Sequence, residues 1–161
     1  MAARRFTNGA RISLLVLVLA CAMPSLAGAG PFGVGLMIGE PTGLSLKNWT
    51  GRTVAFDAAL AWSFEGRDGL HFHLDYLWHD FGIFPVEKGW MPPYYGVGGR
   101  IRFEEDEDES FGIRVPLGLA YIFDSRKVDL FVEVVPLLDL APETDFDANA
   151  ALGIRYYFLN R

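Results

Sequence analysis

The chain has 161 residues, enough for one ordinary domain and little more. With 14 basic residues against 20 acidic ones it is acidic overall, which argues against nucleic acid as a partner, because phosphate binding needs clustered Lys and Arg. Its one cysteine, Cys21, excludes an intrachain disulfide, so stability has to come from a core or a sheet.

The first 29 residues stand apart. They hold Arg4, Arg5 and Arg11 and no acid, then the apolar run ISLLVLVLACAM, then PSLAGAG. A basic start, a short apolar stretch and a small-x-small site form a secretory signal peptide, with Ala27-Gly28-Ala29 as the cleavage site. The run is too short, and Pro24 ends it too soon, for a membrane-spanning helix. VLAC, Val18 to Cys21, is a looser match to a lipoprotein box with Cys21 lipidated, and Leu19 fits it poorly. Arg4-Arg5 is followed by FTN where a twin-arginine signal wants an apolar pair. Cleavage removes three of the 14 basic residues and none of the 20 acidic ones, leaving residues 30–161 as a barrel domain with eleven basic residues against 20 acidic.

Beyond residue 29 no segment has helical periodicity, and period-2 alternation recurs to the end. In TVAFDAALAWSF, Val54, Phe56, Ala58, Leu60, Trp62 and Phe64 share one face, and small or polar residues share the other. FGIRVPLGLAYIF, YYGVGGRIRF and ANAALGIRYYF split in the same way. Eight strands are predicted, near 32–39, 43–49, 53–64, 70–79, 93–103, 111–123, 128–139 and 148–158. Between them lie EPT, TGR, EGRDG, a long FGIFPVEKGWMPP, EEDEDES, DSRK and APETDFD, which have turn or loop chemistry. Most strands reach the roughly 9–11 residues that a tilted bilayer crossing requires.

The orientation of the faces follows from their composition. A soluble barrel packs its apolar face inward, whereas a membrane barrel turns it to lipid. Here the apolar faces are large and unbroken, while the others combine Gly and Ala with isolated charges, which suits the narrow interior of eight strands. The predicted lumen holds Lys47, Arg100, Arg102, Arg114 and Arg155 against Asp57, Asp75, Asp129, Glu133 and Asp139, a balance that lets buried ions pair. Alternating strand directions collect Phe32, Trp49, Trp78, Tyr95, Tyr121, Phe123, Tyr156 and Phe158 near one rim. Trp62, Phe64, Phe103 and Phe111 collect near the other. Of these, Trp62, Phe64, Trp78, Tyr95, Phe123, Tyr156 and Phe158 are the expected lipid-facing girdle. TGR and DSRK become short periplasmic turns, and FGIFPVEKGWMPP an unusually long one.

The fold class expected is therefore all-β, an eight-stranded antiparallel up-and-down transmembrane β-barrel. The chain resembles small eight-stranded outer-membrane barrels of Gram-negative bacteria, of the OmpA transmembrane-domain type. GVGLMIGEPTGLSLKNW, LHFHLDYLWH and YYGVGGRIRF look like a sparsely characterised family of short barrels. The closing GIRYYF looks like the C-terminal strand signal read by the outer-membrane assembly machinery, although Leu159-Asn160-Arg161 follow it. The resemblance implies outer-membrane lipids and that machinery as partners, and it implies no settled activity.

Three constellations remain. His71, His73 and Asp75 share the interior face of one strand with His79, about 7 Å between alternate residues. His-x-His with a carboxylate can chelate zinc or copper, but ligands on a single strand are half a motif, so a polar lumen network is expected, in which these His and Asp residues bond to Tyr94, Arg100 or Asp57, and no metal or cofactor. Ser63 and His71 flank EGRDG and offer a serine–histidine pair, with Asp57 or Asp75 to orient it, for lipid-ester hydrolysis. No nucleophile elbow accompanies them, and no catalytic residue is expected. The six carboxylates Glu104 to Glu109 suit a solvated loop better than a calcium loop, since no turn glycine interrupts them.

The expected function is that of a monomeric, integral outer-membrane barrel with a filled lumen, a structural or surface-interaction role and no general pore. The alternatives are a lipid-modifying enzyme and a lipocalin-like periplasmic carrier of an apolar ligand.

Overall fold

The computed structural model describes residues 30–63, 69–104, 110–141 and 143–158. The expected signal peptide with Cys21, the acidic run at 105–109, Phe64 and the tail at 159–161 lie outside these residues, as do the side chains of Trp62 and Ser63. Nine strands follow one another: β1 Phe32–Glu40, β2 Thr42–Trp49, β3 Val54–Ser63, β4 Gly69–His79, β5 Pro93–Glu104, β6 Ser110–Arg114, β7 Leu117–Ile122, β8 Val128–Ala141 and β9 Asp145–Phe158. The stretch 111–123, expected as one strand, is thus two. Pro116 has no N–H to continue the ladder and divides it. β6 and β7 nonetheless pair with the same neighbours, β5 and β8, and β5 meets both in one continuous register from Arg102↔Ser110 to Pro93↔Leu119. Together they are one stave, so the ring has eight.

Every neighbouring pair is antiparallel, and the β4–β5 and β1–β9 pairings close the sheet on itself. Closure leaves no sheet edge, which lets strands cross a bilayer with their backbone groups satisfied. The register fixes the width. Paired residues lead round the ring from Gly35 through Ser45, Ala59, His73, Arg100, Gly112, Asp139 and Asp145. Continuing the β1–β9 register from there returns to β1 at position 45, ten places beyond Gly35. With eight staves, that stagger corresponds to a strand tilt of about 40° and a backbone radius of about 8 Å. Such a ring holds side chains and little else.

Alternation then sorts the side chains. Along β9 exposure and burial alternate without a break from Asn149 to Phe158. Leu152 and Ile154 stand 59% and 49% exposed on the outside, whereas Arg155 is 1% exposed inside. Leu36, Ile38, Leu44, Leu74, Val97, Ile113, Leu130, Val132 and Val134 extend the outer apolar surface round the ring. Val54, Phe56 and Leu60 on β3 are half-exposed within it.

Inward aromatics lie on glycines of the adjacent stave: Tyr157 opposes Gly33, Tyr94 opposes Gly118, and Phe131 opposes Gly153. A Cβ at any of the three glycines would collide with the opposing ring. The glycines are there to let large rings lie flat in a narrow lumen.

The long segment between β4 and β5 is folded onto the rim that carries the termini. Trp90 exchanges backbone hydrogen bonds with Ile122 at 2.9 and 2.7 Å, extending the β5–β7 ladder downward. Tyr121 donates its hydroxyl to the Lys88 carbonyl at 3.1 Å, Gly89 donates its N–H to Asp124, and the Arg126 guanidinium lies 4.4 Å over the Trp90 ring. Gly89 adopts a φ of 72°, a left-handed conformation that favours glycine at this bend.

Candidate functional site in the barrel lumen

Three layers of side chains fill the lumen. The lowest, at the rim of the termini, is an aromatic floor. Trp49 and His79 pack with ring centroids 4.4 Å apart, Tyr94 lies 5.2 Å from His79, and Phe81 closes on Trp49 at 6.1 Å. Lys47 reaches into this floor. Its Nζ sits 5.0 Å from both the Trp49 and Tyr94 ring centroids and 2.8 Å from His79 Nε2. His79 Nδ1 lies 3.2 Å from the Thr53 carbonyl. A neutral imidazole that donates there from Nδ1 has Nε2 free to accept from the ammonium, so this tautomer satisfies both contacts.

The middle layer is a buried ion network. Arg155 donates to Ser45 Oγ at 2.8 Å and to Asp57 at 2.7 Å, approaches Asp129 at 3.7 Å, and lies over the Phe131 ring. Tyr157 donates to Asp129 at 2.6 Å. Arg114 Nε stands 2.9 Å from Asp75, and its Nη2 is 3.5 Å from Glu133, which also accepts from the Tyr94 hydroxyl at 2.9 Å. The top layer is a two-pronged pair, Arg100 Nε and Nη2 to the two Asp139 oxygens at 3.1 and 2.6 Å. Asp147 and Arg102 complete it at longer range. Two-pronged charge-assisted bonds fix orientation as well as charge, and buried ions with such partners are the ones a closed interior tolerates.

The residues singled out in sequence lie as follows. Lys47, Asp57, His71, His73, Asp75, Arg100, Arg114, Asp129, Glu133, Asp139 and Arg155 are all buried inside the ring, and Arg102 is half-buried. The structure brings His73 and Asp75 together with Asp57 from the neighbouring strand and leaves His71 outside that group. Ser63 pairs with Gly69, while His71 pairs with Ala61, so the serine and histidine are not opposite one another as the hairpin suggested. In the outer girdle, Trp78, Tyr95, Phe123, Tyr156 and Phe158 are exposed, with Trp78 and Tyr95 stacked at 5.8 Å and Tyr156 set edge-on to Phe158.

No family model matches the chain, and no curated protein does. Among solved structures it is similar to the N-terminal β-barrel domain of Pseudomonas aeruginosa OprF, with a TM-score of 0.61 at 15% identity over 80% of this chain and 96% of that one. It is also similar to Neisserial surface protein A, with a TM-score of 0.52 at 12% identity over 80% and 94% of the two chains. The fold is that of the small outer-membrane β-barrels.

Within that barrel fold, three features were not anticipated from sequence. Tyr157 donates its hydroxyl to Asp129, a role its position opposite a glycine could have suggested, and Tyr94, expected as a partner of the β4 His and Asp residues, donates to Glu133. Trp49, expected at the rim with the girdle, turns inward to the floor, as its even spacing from Lys47 implies. Phe81 joins that floor from the loop, where no alternation exists to predict its direction.

Proposed function

We propose that this chain is an integral outer-membrane protein, a closed barrel with a packed lumen that serves a structural or surface-interacting role and forms no general pore. One observation carries the reading: the apolar faces of the staves point outward all round the ring while the charged and polar faces pair inside it. In water that arrangement would expose a continuous apolar surface far larger than soluble monomers show. In lipid it is the expected order. The same orientation weighs against a carrier of apolar ligands, since the positions that would line its cavity, such as Val132, Leu152 and Ile154, are outside. The aromatic floor and the Arg100–Asp139 pair obstruct the lumen at two levels, which suits a plug better than a channel.

The rim of the termini, with its short turns and the folded 80–92 segment, then faces the periplasm, and the opposite rim, where β3, β5 and β8 end and β4, β6 and β9 begin, faces the exterior. Envelope fractionation with separation of inner and outer membranes tests the location, combined with the mobility shift that folded barrels show between unheated and boiled samples. Recovery in the soluble periplasm would falsify it. Planar bilayers test the plug, and a steady nanosiemens conductance from the purified protein would refute that part alone.

A further inference from the structure

Asp57 on β3 and Asp75 on β4 are directly opposite each other in the sheet. Like charges so placed repel, and at 3% and 2% exposure water cannot screen them. Arg155 answers Asp57 at 2.7 Å and Arg114 answers Asp75 at 2.9 Å. His73, 1% exposed, lies beside them, and the ligand-capable atoms of all three residues lie within 4.8 Å of one another.

Two atoms of this group have no hydrogen-bond partner among the described residues: His73 Nε2 and Asp75 Oδ1. The nearest acid oxygen to His73 Nε2 is Asp75 Oδ2 at 3.9 Å, too long for a hydrogen bond. Native interiors rarely leave such atoms unpaired without a reason, and a bound ion or water is one of the standard reasons.

We infer that Asp57, His73 and Asp75 form a lumen site for a divalent transition-metal ion of the zinc class, bridging β3 and β4. An imidazole nitrogen with two carboxylates selects such an ion over calcium or magnesium, which prefer all-oxygen cages. Asp75 Oδ1 lies against Gly98 of β5, so the oxygen offered to the ion is Oδ2, which stands 3.9 Å from His73 Nε2 and is shared with Arg114 Nε at 2.9 Å. Arg114 and Arg155 then orient the carboxylates from outside, as residues behind metal ligands commonly do. Ligand atoms round a tetrahedral zinc stand roughly 3.3 Å apart, so small side-chain rotations draw the three together. His71, one stave position higher, is not a ligand.

The test uses the full barrel, refolded in detergent without a histidine tag, stripped with EDTA and titrated with zinc chloride. One zinc per chain is expected by elemental analysis after gel filtration, with a rise of several degrees in the melting temperature. His73→Gln and Asp57→Asn should each weaken zinc binding at least tenfold, and His71→Gln should leave it unchanged. If the first two variants do not fold, cobalt replaces them as the probe: a folded wild-type barrel should show the intense visible bands of tetrahedral cobalt. Folded wild-type protein that retains neither zinc nor cobalt overturns the site. So does equal zinc retention by His73→Gln, and so does a melting temperature that responds to pH but not to metal, which would mean a shared proton in its place.

Discussion

Replacing Val134 with arginine separates a lipid-facing surface from a water-facing one. Val134 is on β8 with its side chain outward and 52% exposed. Its stave neighbours set its depth: Leu130 pairs with the rim residue Tyr121 toward one end, and Ala141 pairs with Phe111 toward the other. At a rise of about 3.3 Å per residue and a tilt of about 40°, each residue advances about 2.5 Å along the barrel axis. The span from 130 to 141 is then about 28 Å, close to the roughly 25 Å apolar band of membrane barrels. Val134 falls about 10 Å inside the nearer boundary, too deep for a guanidinium to reach headgroups without cost. Arginine near the midplane costs about 2–4 kcal/mol, falling to about 0–1 kcal/mol at the interfaces. With a urea dependence of about 2 kcal/mol per molar, Val134→Arg should lower the unfolding midpoint in phospholipid vesicles by about 1–2 M. Phe123→Arg, at the girdle, should lower it by less than about 0.5 M by the same reasoning. The assay is equilibrium urea titration followed by tryptophan fluorescence. On a solvated exterior both substitutions would stay within about 0.5 kcal/mol. Equal small shifts for the two variants would refute the lipid-facing assignment.

Inside the ring, Arg155→Met should cost about 3–5 kcal/mol, because Asp57 and Asp129 lose a buried partner, and adding Asp57→Asn should recover part of the loss in the same urea titration. Gly118→Ala should cost about 1–3 kcal/mol, since the new methyl displaces the Tyr94 ring and its bond to Glu133; Tyr94→Ala in the same chain should relieve the overpacking, and a double-mutant cycle would measure that coupling. Removing two walls of the floor with Trp49→Ala and Tyr94→Ala should raise single-channel conductance in planar bilayers above that of the wild type; no change would show that the Arg100–Asp139 layer alone blocks the lumen.

What could be read from the sequence tracks how strictly each feature obeys the period of two. β9 alternates without interruption, so its faces, its inward Arg155 and its outward Leu152 and Ile154 all follow from position alone. β4 carries His71, His73, Asp75 and His79 on one face for the same reason, and they are buried there. The eight staves were legible because turn chemistry separates them. The division of 111–123 was not, because Pro116 looked like one member of an alternating face when its missing N–H was the feature that mattered. Alternation is equally silent about loops, so neither Phe81 in the floor nor the docking of Trp90 against Ile122 could be assigned before a fold existed.

Partners across the lumen are harder still, because they depend on stagger as well as on faces. The sequence suggests Arg100 and Asp57 as neighbours for the histidines and Asp75, since the strands that carry them are adjacent or nearly so. Strand pairing does place Arg100 beside His73, yet Arg100 turns to Asp139 on β8. Asp75 instead meets Arg114, from a stave that does not adjoin β4. A ring with a stagger of ten brings residues far apart in the strand order to one height, and long Arg side chains then choose among several acids within reach. That choice is an electrostatic one made in three dimensions. Because Arg114 and Arg155 reach Asp75 and Asp57 from other staves, the space beside those two acids is left to His73. The same stagger that hides the pairing from the sequence thus leaves an imidazole nitrogen within 4.8 Å of two carboxylates.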